Sequence, residues 1–289
     1  GVVGAGLLLG PPGGVFWGLS GGGGGGAGPR GVRGGLVAGL LERGFAVRTV
    51  HRYRQAVNAF LGWLLEAGAA AYDGAALRKA VQAQAEVLPP CQRAEPVFAT
   101  EEEVWAILEA ASGVRVPQDI TTPWNRRLYL ERLRNIALLE ALRATGARAR
   151  ELVALSRGDL EVELQQVVAA DGRRLYFDVR AWAALMNYLA ARDGGPGLPL
   201  LTWATPVFVR HDARGEGKNL RLSRRAVSEV IVKLRGERGV TAQGFRNRFA
   251  RRVLEASRDV EGTAVLLGVS GVRFRARYGG MSDRVLGRG

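Results

Sequence analysis

The sequence has few residues of the kinds that bind metals or form disulfides. It contains one cysteine, Cys91, and two histidines, His51 and His211, in 289 residues. An internal disulfide framework is excluded, and a zinc site built from Cys and His is not expected. Such sparing use of cysteine is typical of a reducing compartment, so we expect a cytoplasmic protein.

Long apolar runs are also missing. No stretch of about 18 apolar residues occurs, so the sequence predicts no membrane-spanning helix. The apolar beginning of the chain is broken by Gly and Pro and lacks the basic start of a signal peptide. Apolar residues make up 47% of the chain, which is enough for a folded core, and the length allows two domains of ordinary size.

Lysine is scarce although the protein is strongly basic. Only Lys79, Lys218 and Lys233 are lysines among 41 basic residues, which face 27 acidic ones for a net charge of +14. A GC-rich genome explains the choice of arginine over lysine, but it explains the excess of positive charge less well. The planar guanidinium binds phosphate through two parallel hydrogen bonds, so a polyanion is the partner that we expect.

Composition separates the first part of the chain into a tail and a helical domain. Residues 1–34 are rich in glycine, including Gly21–Gly26, and are predicted to be a flexible tail. In residues 35–90, apolar side chains recur every three or four positions from Val50 to Leu65, which predicts an amphipathic helix. A second helix is expected at Ala75–Val87.

The first predicted helix carries two sets of side chains with different expected environments. The aromatic residues Tyr53, Phe60 and Trp63 are expected in the core of the domain. Arg48 and Arg52 lie off the apolar stripe, where they form either a solvated face or contacts to a nucleic-acid backbone.

Prolines at positions 89, 90 and 96 predict a linker, and residues 97–289 form the second predicted domain. Thr100 and Glu103 have the spacing of a capping box at a helix start. Residues 161–168 and 174–179 predict a β-hairpin turning at Asp171-Gly172. Further helices are expected at 125–145, 181–192, 223–235, 241–256 and 259–267. The fold class is therefore mainly α with a small β-sheet (α+β), in two domains.

Three short segments carry the chemistry that the sequence offers. The first, TGARAREL, ends one predicted helix and begins the next, with Arg148 and Glu151 about one turn apart. The second, QGFRNRFA, places Gln243 and Arg246 at the start of an amphipathic helix. The third, LLGVSGVRFRARY, ends at Tyr278.

In this order and spacing, the segments resemble the conserved boxes of the tyrosine recombinases, or phage integrases. Arg246 precedes Val269 by 23 residues, and Val269 precedes Tyr278 by nine, as in the family pattern. The resemblance covers about residues 40–280. It implies a helical SAM-like core-binding domain at 35–90 and a catalytic domain at 97–289, which together clamp double-stranded DNA. It also implies a homotetramer on DNA, typically serving recombination or integration of a mobile element.

The resemblance assigns a role to each matching residue. Tyr278 is the nucleophile that forms a 3′-phosphotyrosyl link, and Arg148 and Arg246 bind the non-bridging oxygens of the phosphate. Glu151 supports Arg148, and Gln243 is either a phosphate ligand or a residue that forms a structural hydrogen bond. A free tyrosine has a pKa near 10 and is a weak nucleophile, so charge stabilisation by two arginines suits this chemistry. No metal ion or other cofactor is implied.

Several positions depart from the family pattern. Gln243 and Asn247 stand where the family usually has histidines, and Val269 replaces a His or Trp. The hairpin carries Arg173 and Arg174 where the family has a lysine as proton donor. Arginine is a poor proton donor, so these two are expected to contact phosphates. The sequence leaves three alternatives: a site-specific recombinase, a catalytically decayed homologue that only binds DNA, and an unrelated basic helical protein.

Overall fold

The computed structural model describes residues 36–68, 96–194, 202–213 and 218–287. The chain divides between Arg93 and Ala94 into two units. The predicted tail at 1–34 and the predicted helix at 75–87 lie outside the described residues. Every described helix is too short or too polar to cross a membrane.

The described part of the first unit contains two helices, α1 (Leu36–Glu42) and α2 (Val47–Glu66). α2 begins three residues before Val50, where the predicted apolar pattern starts. Among the described residues of this unit, the buried core comes from α1 and from the first turn of α2, and it contains Val37, Leu40 and Val50.

The aromatic side chains of α2 differ from the sequence-based expectation. Tyr53, Phe60 and Trp63 are 48%, 46% and 57% exposed, so their prediction as core residues is wrong. The physical reason is that α1 has only seven residues, and its apolar side chains pack against Val50 at the start of α2. Arg48 and Arg52 are exposed.

The second unit contains eight described α-helices and a small sheet, which confirms the predicted fold class. The helices are α3 (Glu101–Ser112), α4 (Pro123–Thr145), α5 (Ala149–Ala154), α6 (Val179–Asp193), α7 (Arg224–Arg235), α8 (Ala242–Ser257), α9 (Val260–Leu266) and α10 (Gly271–Leu286). The predicted capping box at α3 is present: Glu103 N donates to Thr100 Oγ1 at 3.2 Å, and Thr100 N donates to Glu103 Oε2 at 2.8 Å. α4 packs against α3, α6 and α8 and supplies fully buried leucines to the core.

The sheet has three antiparallel strands in the order β1 (Leu160–Glu161), β2 (Gln166–Val168) and β3 (Arg174–Tyr176). The predicted hairpin is present, and Val167 pairs with Leu175. The first predicted strand is divided because Gln165 adopts a left-handed conformation, with φ of 49°. The chain therefore reverses between β1 and β2, and these two strands pair with each other.

Gly146 brings the first and second sequence boxes together. It ends α4 with a positive φ of 59°, and its N–H donates to Leu142 O at 3.2 Å. A Cβ at this position would lie 2.4 Å from Cδ1 of Phe249 on α8. Glycine is therefore required both by the backbone conformation and by the close approach of α8.

Candidate active site

A cleft of about 740 Å³ lies where the first turns of α5, α7 and α8 meet. It brings together Arg148, Gln243 and Arg246, which the sequence placed in a catalytic site. Its other lining residues are Ala149, Arg150, Ser223, Arg224, Arg225, Ser228 and Ala242. No carboxylate is among the described residues that line it, so we call it the cationic cleft.

Arg246 is the most firmly held arginine of the cationic cleft. It is 4% exposed, and its guanidinium donates to Gly146 O at 2.7 Å and to Leu267 O at 2.5 Å. Burial, and then the neighbouring charge of Arg148, lower the pKa of Arg246 to about 10, so the side chain is cationic at neutral pH. A guanidinium has five N–H donors, so two bonds fix the group without using all of them.

Arg148 is held by a carboxylate. It immediately precedes α5, its side chain is 28% exposed, and its Nη1 lies 2.5 Å from Glu151 Oε1. The other oxygen of Glu151 accepts the backbone N–H of Arg148 at 2.8 Å. Burial acts to raise the pKa of Glu151, but the hydrogen bonds from Arg148 and the charges of Arg173 and Arg148 outweigh it and lower this pKa. Glu151 is therefore ionised at neutral pH.

Arg173 points inward rather than outward. Its guanidinium donates to Leu266 O at 2.7 Å and to Glu151 Oε2 at 2.5 Å, and its side chain is 8% exposed. It passes over Gly268, where a Cβ would lie 2.7 Å from Arg173 Nε. The ionised Glu151 and the missing Cβ at Gly268 explain why the Arg173 side chain is held in this position. Its contact to a phosphate stays a prediction. Arg174, on β3, is exposed.

Tyr278 lies in a closed, mostly apolar environment on α10, which we call the tyrosine chamber. The side chain is 3% exposed, and it packs with the neighbouring rings of Phe274 and Phe98 at centroid distances of 4.8 and 6.4 Å. Val269 is partly buried against the same cluster. Tyr278 is not among the residues that line the cationic cleft.

Asn247 connects the tyrosine chamber to the cationic cleft. Its Oδ1 accepts the Tyr278 hydroxyl at 2.8 Å and Gln243 Nε2 at 2.7 Å, while its Nδ2 donates to Val97 O at 2.6 Å. Asn247 is 1% exposed. The sequence marked Asn247 only as a departure from the family pattern, because a contact across 31 residues is not visible in a local motif.

Three arginines of the cleft were not singled out from the sequence, namely Arg150, Arg224 and Arg225. A signal for them exists, since Arg150 lies within the first sequence box, and Arg224 and Arg225 lie at the start of the helix predicted at 223–235. All three are exposed. Together with Arg148 and Arg246 they give the cleft a charge suited to a phosphate backbone.

The arrangement can stabilise charge better than it can transfer protons. Two fixed guanidinium groups can bind the non-bridging oxygens of a phosphodiester. Gln243 and Asn247, which belong to the same sequence box as Arg246, form hydrogen bonds but have no proton to exchange near neutral pH.

The comparisons with known proteins point to one family. The chain is 31% identical over 241 residues to the tyrosine recombinase XerC of Xylella fastidiosa, covering 81% of this chain and 70% of that protein. It is 28% identical over 250 residues to the tyrosine recombinase XerC of Bacillus licheniformis, covering 85% and 74%. No protein-family model matches the chain.

Solved structures share the fold at low sequence identity. The Tn1549 transposon integrase in complex with circular intermediate DNA aligns with a TM-score of 0.56 and 13% identity, over 86% of this chain and 78% of that one. A pre-cleavage complex of the XerH site-specific recombinase bound to its difH substrate also has a TM-score of 0.56, with 15% identity over 86% and 68%.

Proposed function

Because this chain belongs to the tyrosine recombinase family, we propose that it cuts and rejoins double-stranded DNA at specific sites, with Tyr278 as the nucleophile. The observation that carries the proposal is the cationic cleft, where Arg148 and Arg246 line one surface and are each held by fixed partners. Guanidinium groups fixed before the reaction stabilise developing charge without reorganising during it.

In the proposed reaction, the hydroxyl oxygen of Tyr278 attacks the phosphorus atom. A bond forms between this oxygen and phosphorus, and the bond to the 5′ oxygen breaks. The phenol proton passes to solvent water, and the departing 5′ oxygen takes up a proton from water, so the departing strand ends as a 5′-hydroxyl. Arg148 and Arg246 bind the non-bridging oxygens throughout. The phosphotyrosyl link keeps the energy of the ester bond, so a 5′-hydroxyl of another strand can reverse the step and rejoin the DNA.

The proposed DNA contacts extend beyond the two clamping arginines. In the second unit, Arg150, Arg224 and Arg225 line the cleft, Gln243 contacts the phosphate, and Arg174 reaches the backbone from β3. In the first unit, the exposed Arg48 and Arg52 contact another part of the backbone. Such contacts supply affinity and salt dependence rather than base choice. The assembly on DNA is a homotetramer.

The proposal is tested by capturing the covalent intermediate. A DNA sequence that the protein binds is first selected from random duplexes. A nick is then placed beside the expected cleavage position, so that the short fragment released by cleavage diffuses away and cannot be rejoined. The wild type is expected to give a protein–DNA adduct that survives denaturation, and Tyr278→Phe is expected to give none while binding DNA equally well. Tyr176→Phe is the matched control, since Tyr176 is 54% exposed on β3, and this variant should form the adduct normally.

A second candidate function is DNA binding without cleavage. It is favoured by the contacts of Arg173, whose guanidinium is engaged by Glu151 and Leu266, so the hairpin presents no lysine-like proton donor at that position. Under this alternative, the protein binds its selected site tightly, and neither the wild type nor any variant forms an adduct. That result would reject the recombinase proposal.

A further inference from the structure

We propose that Asn247 is a positioning residue that keeps the Tyr278 hydroxyl in the tyrosine chamber, and that this hydrogen bond must break before the tyrosine attacks DNA. The inference rests on the proposed function for its last step. It starts from the three bonds of one buried amide, to Val97, Gln243 and Tyr278.

The orientation of the Asn247 amide follows from its backbone partner. Val97 O is a carbonyl oxygen, which accepts hydrogen bonds and never donates them. The atom of Asn247 that lies 2.6 Å from it must therefore be the nitrogen, Nδ2. Because the amide is planar, Oδ1 must then face the opposite side, toward Tyr278 and Gln243.

The orientation of the amide determines the direction of the other two bonds. Oδ1 has two lone pairs and no proton, so Gln243 must present its Nε2 and Tyr278 must donate its hydroxyl proton. Both lone pairs of Oδ1 are then used. The Tyr278 hydroxyl is therefore engaged by Oδ1 for as long as the side chain stays in the tyrosine chamber.

The surroundings of Tyr278 allow it to leave once this bond breaks. Two glycines, Gly279 and Gly280, follow it within α10, and a Cβ at either would meet nothing within 4 Å. Because the space beside both positions is open, close packing does not require glycine there. Consecutive glycines weaken a helix because they widen its range of backbone conformations. α10 is thus easiest to bend just after the tyrosine.

Asn247 also has a structural role, because it ties α8 to the segment before α3. A test must separate that role from the control of Tyr278, and two substitutions of similar size do so. Asn247→Leu removes all three hydrogen bonds. Asn247→Asp keeps an acceptor for the Tyr278 hydroxyl but places a carboxylate oxygen against Val97 O. Both changes break the bond to Val97, so a purely structural role predicts effects in the same direction.

The first measurement is the rate of adduct formation at saturating DNA, using the selected nicked site. Asn247→Leu is expected to react about fivefold faster than the wild type, the factor that corresponds to one neutral hydrogen bond of about 1 kcal/mol. Asn247→Asp is expected to react several-fold more slowly, because a charged acceptor holds the hydroxyl more strongly. Equal shifts in the same direction, or a faster Asp variant, would overturn the inference.

The second measurement needs no DNA. Nitration of Tyr278 by tetranitromethane, followed by mass spectrometry, reports how readily its ring becomes accessible to the reagent, with the exposed Tyr176 as internal reference. Nitration is expected to be faster in Asn247→Leu and no faster in Asn247→Asp than in the wild type. If the nitration rates differ in this way but no protein forms an adduct, the proposed function fails and the role of Asn247 stands. If adducts form but the two Asn247 variants are nitrated at the same rate, only the role of Asn247 is rejected.

Discussion

The cationic cleft is open and polar, whereas the tyrosine chamber is closed and mostly apolar, and the two meet at Asn247. In the cleft, Arg246 is fixed by two backbone carbonyls and Arg148 by a carboxylate. In the chamber, Tyr278 is held by packing and by a single hydrogen bond. If the protein acts as proposed, the phosphate site is therefore built in advance, whereas the nucleophile has to be released.

This difference implies that the two regions can be altered separately. A change in the cleft should affect the binding and charge of the phosphate while Tyr278 stays in place. A change in the chamber should affect the release of Tyr278 while DNA affinity is kept. Three predictions below test this separation, and the first has the largest expected effect.

The substitution Arg246→Lys is expected to slow adduct formation by about 10²–10³-fold, the usual cost of losing one oriented donor to developing charge. A lysine ammonium cannot hold Gly146 O and Leu267 O and also present a planar fork to phosphate. Single-turnover cleavage of the nicked site measures the effect. Nitration of Tyr278 should be unchanged, and a large change there would break the proposed separation.

A matched control for Arg246→Lys lies on the same helix. Arg251 is on α8, its side chain is 57% exposed, and it pairs with Glu255. It does not line the cationic cleft, so Arg251→Lys should leave the rate of adduct formation within about twofold, in line with the small contribution of exposed ion pairs.

The substitution Gln243→His adds a group that can exchange a proton to the cleft. The rate of adduct formation is expected to rise by at least about tenfold, since a positioned acid or base typically contributes about 10²–10⁴-fold. The pH profile of the variant should gain an inflection near the ordinary histidine pKa of about 6.5, which the wild type lacks. An unchanged rate and profile would show that proton transfer at this position does not limit the reaction.

The double substitution Gly279→Ala with Gly280→Ala tests the chamber. Each alanine is expected to stabilise α10 by about 1 kcal/mol, because helical glycine has the larger conformational entropy to lose. Thermal unfolding measures this gain. Adduct formation should slow by a few-fold while the dissociation constant for DNA stays the same. A stabilised variant that reacts at the wild-type rate would show that bending of α10 is not needed to release Tyr278.

The sequence was sufficient for features that depend on local patterns. The capping box at Thr100, the end of α4 at Gly146 and the fold class all follow from short-range rules of helix formation, and the structure confirms them. The resemblance of the three boxes to the family pattern, rather than any local rule, indicated that Arg148 and Arg246 share one site.

Features that depend on tertiary contacts could not be predicted. Arg173 turns inward because Leu266 O, 93 residues away, accepts from it and because Gly268 leaves space. Tyr53 lies on the apolar side of the predicted helix, yet it is exposed. The apolar pattern predicts a side that packs, but it does not show which element packs against it. In both cases the deciding partner is distant in the sequence.

The segment before α3 determines where a fragment that keeps the tyrosine chamber can begin. A fragment starting at Glu101 would keep the eight described α-helices of the second unit, and by helix content it would look intact. It would lack Val97 O, which orients Asn247, and the Phe98 ring beside Tyr278. If Asn247 restrains Tyr278 as proposed, the tyrosine would be held less firmly in such a fragment, so a fragment that keeps this control has to begin at or before Val97.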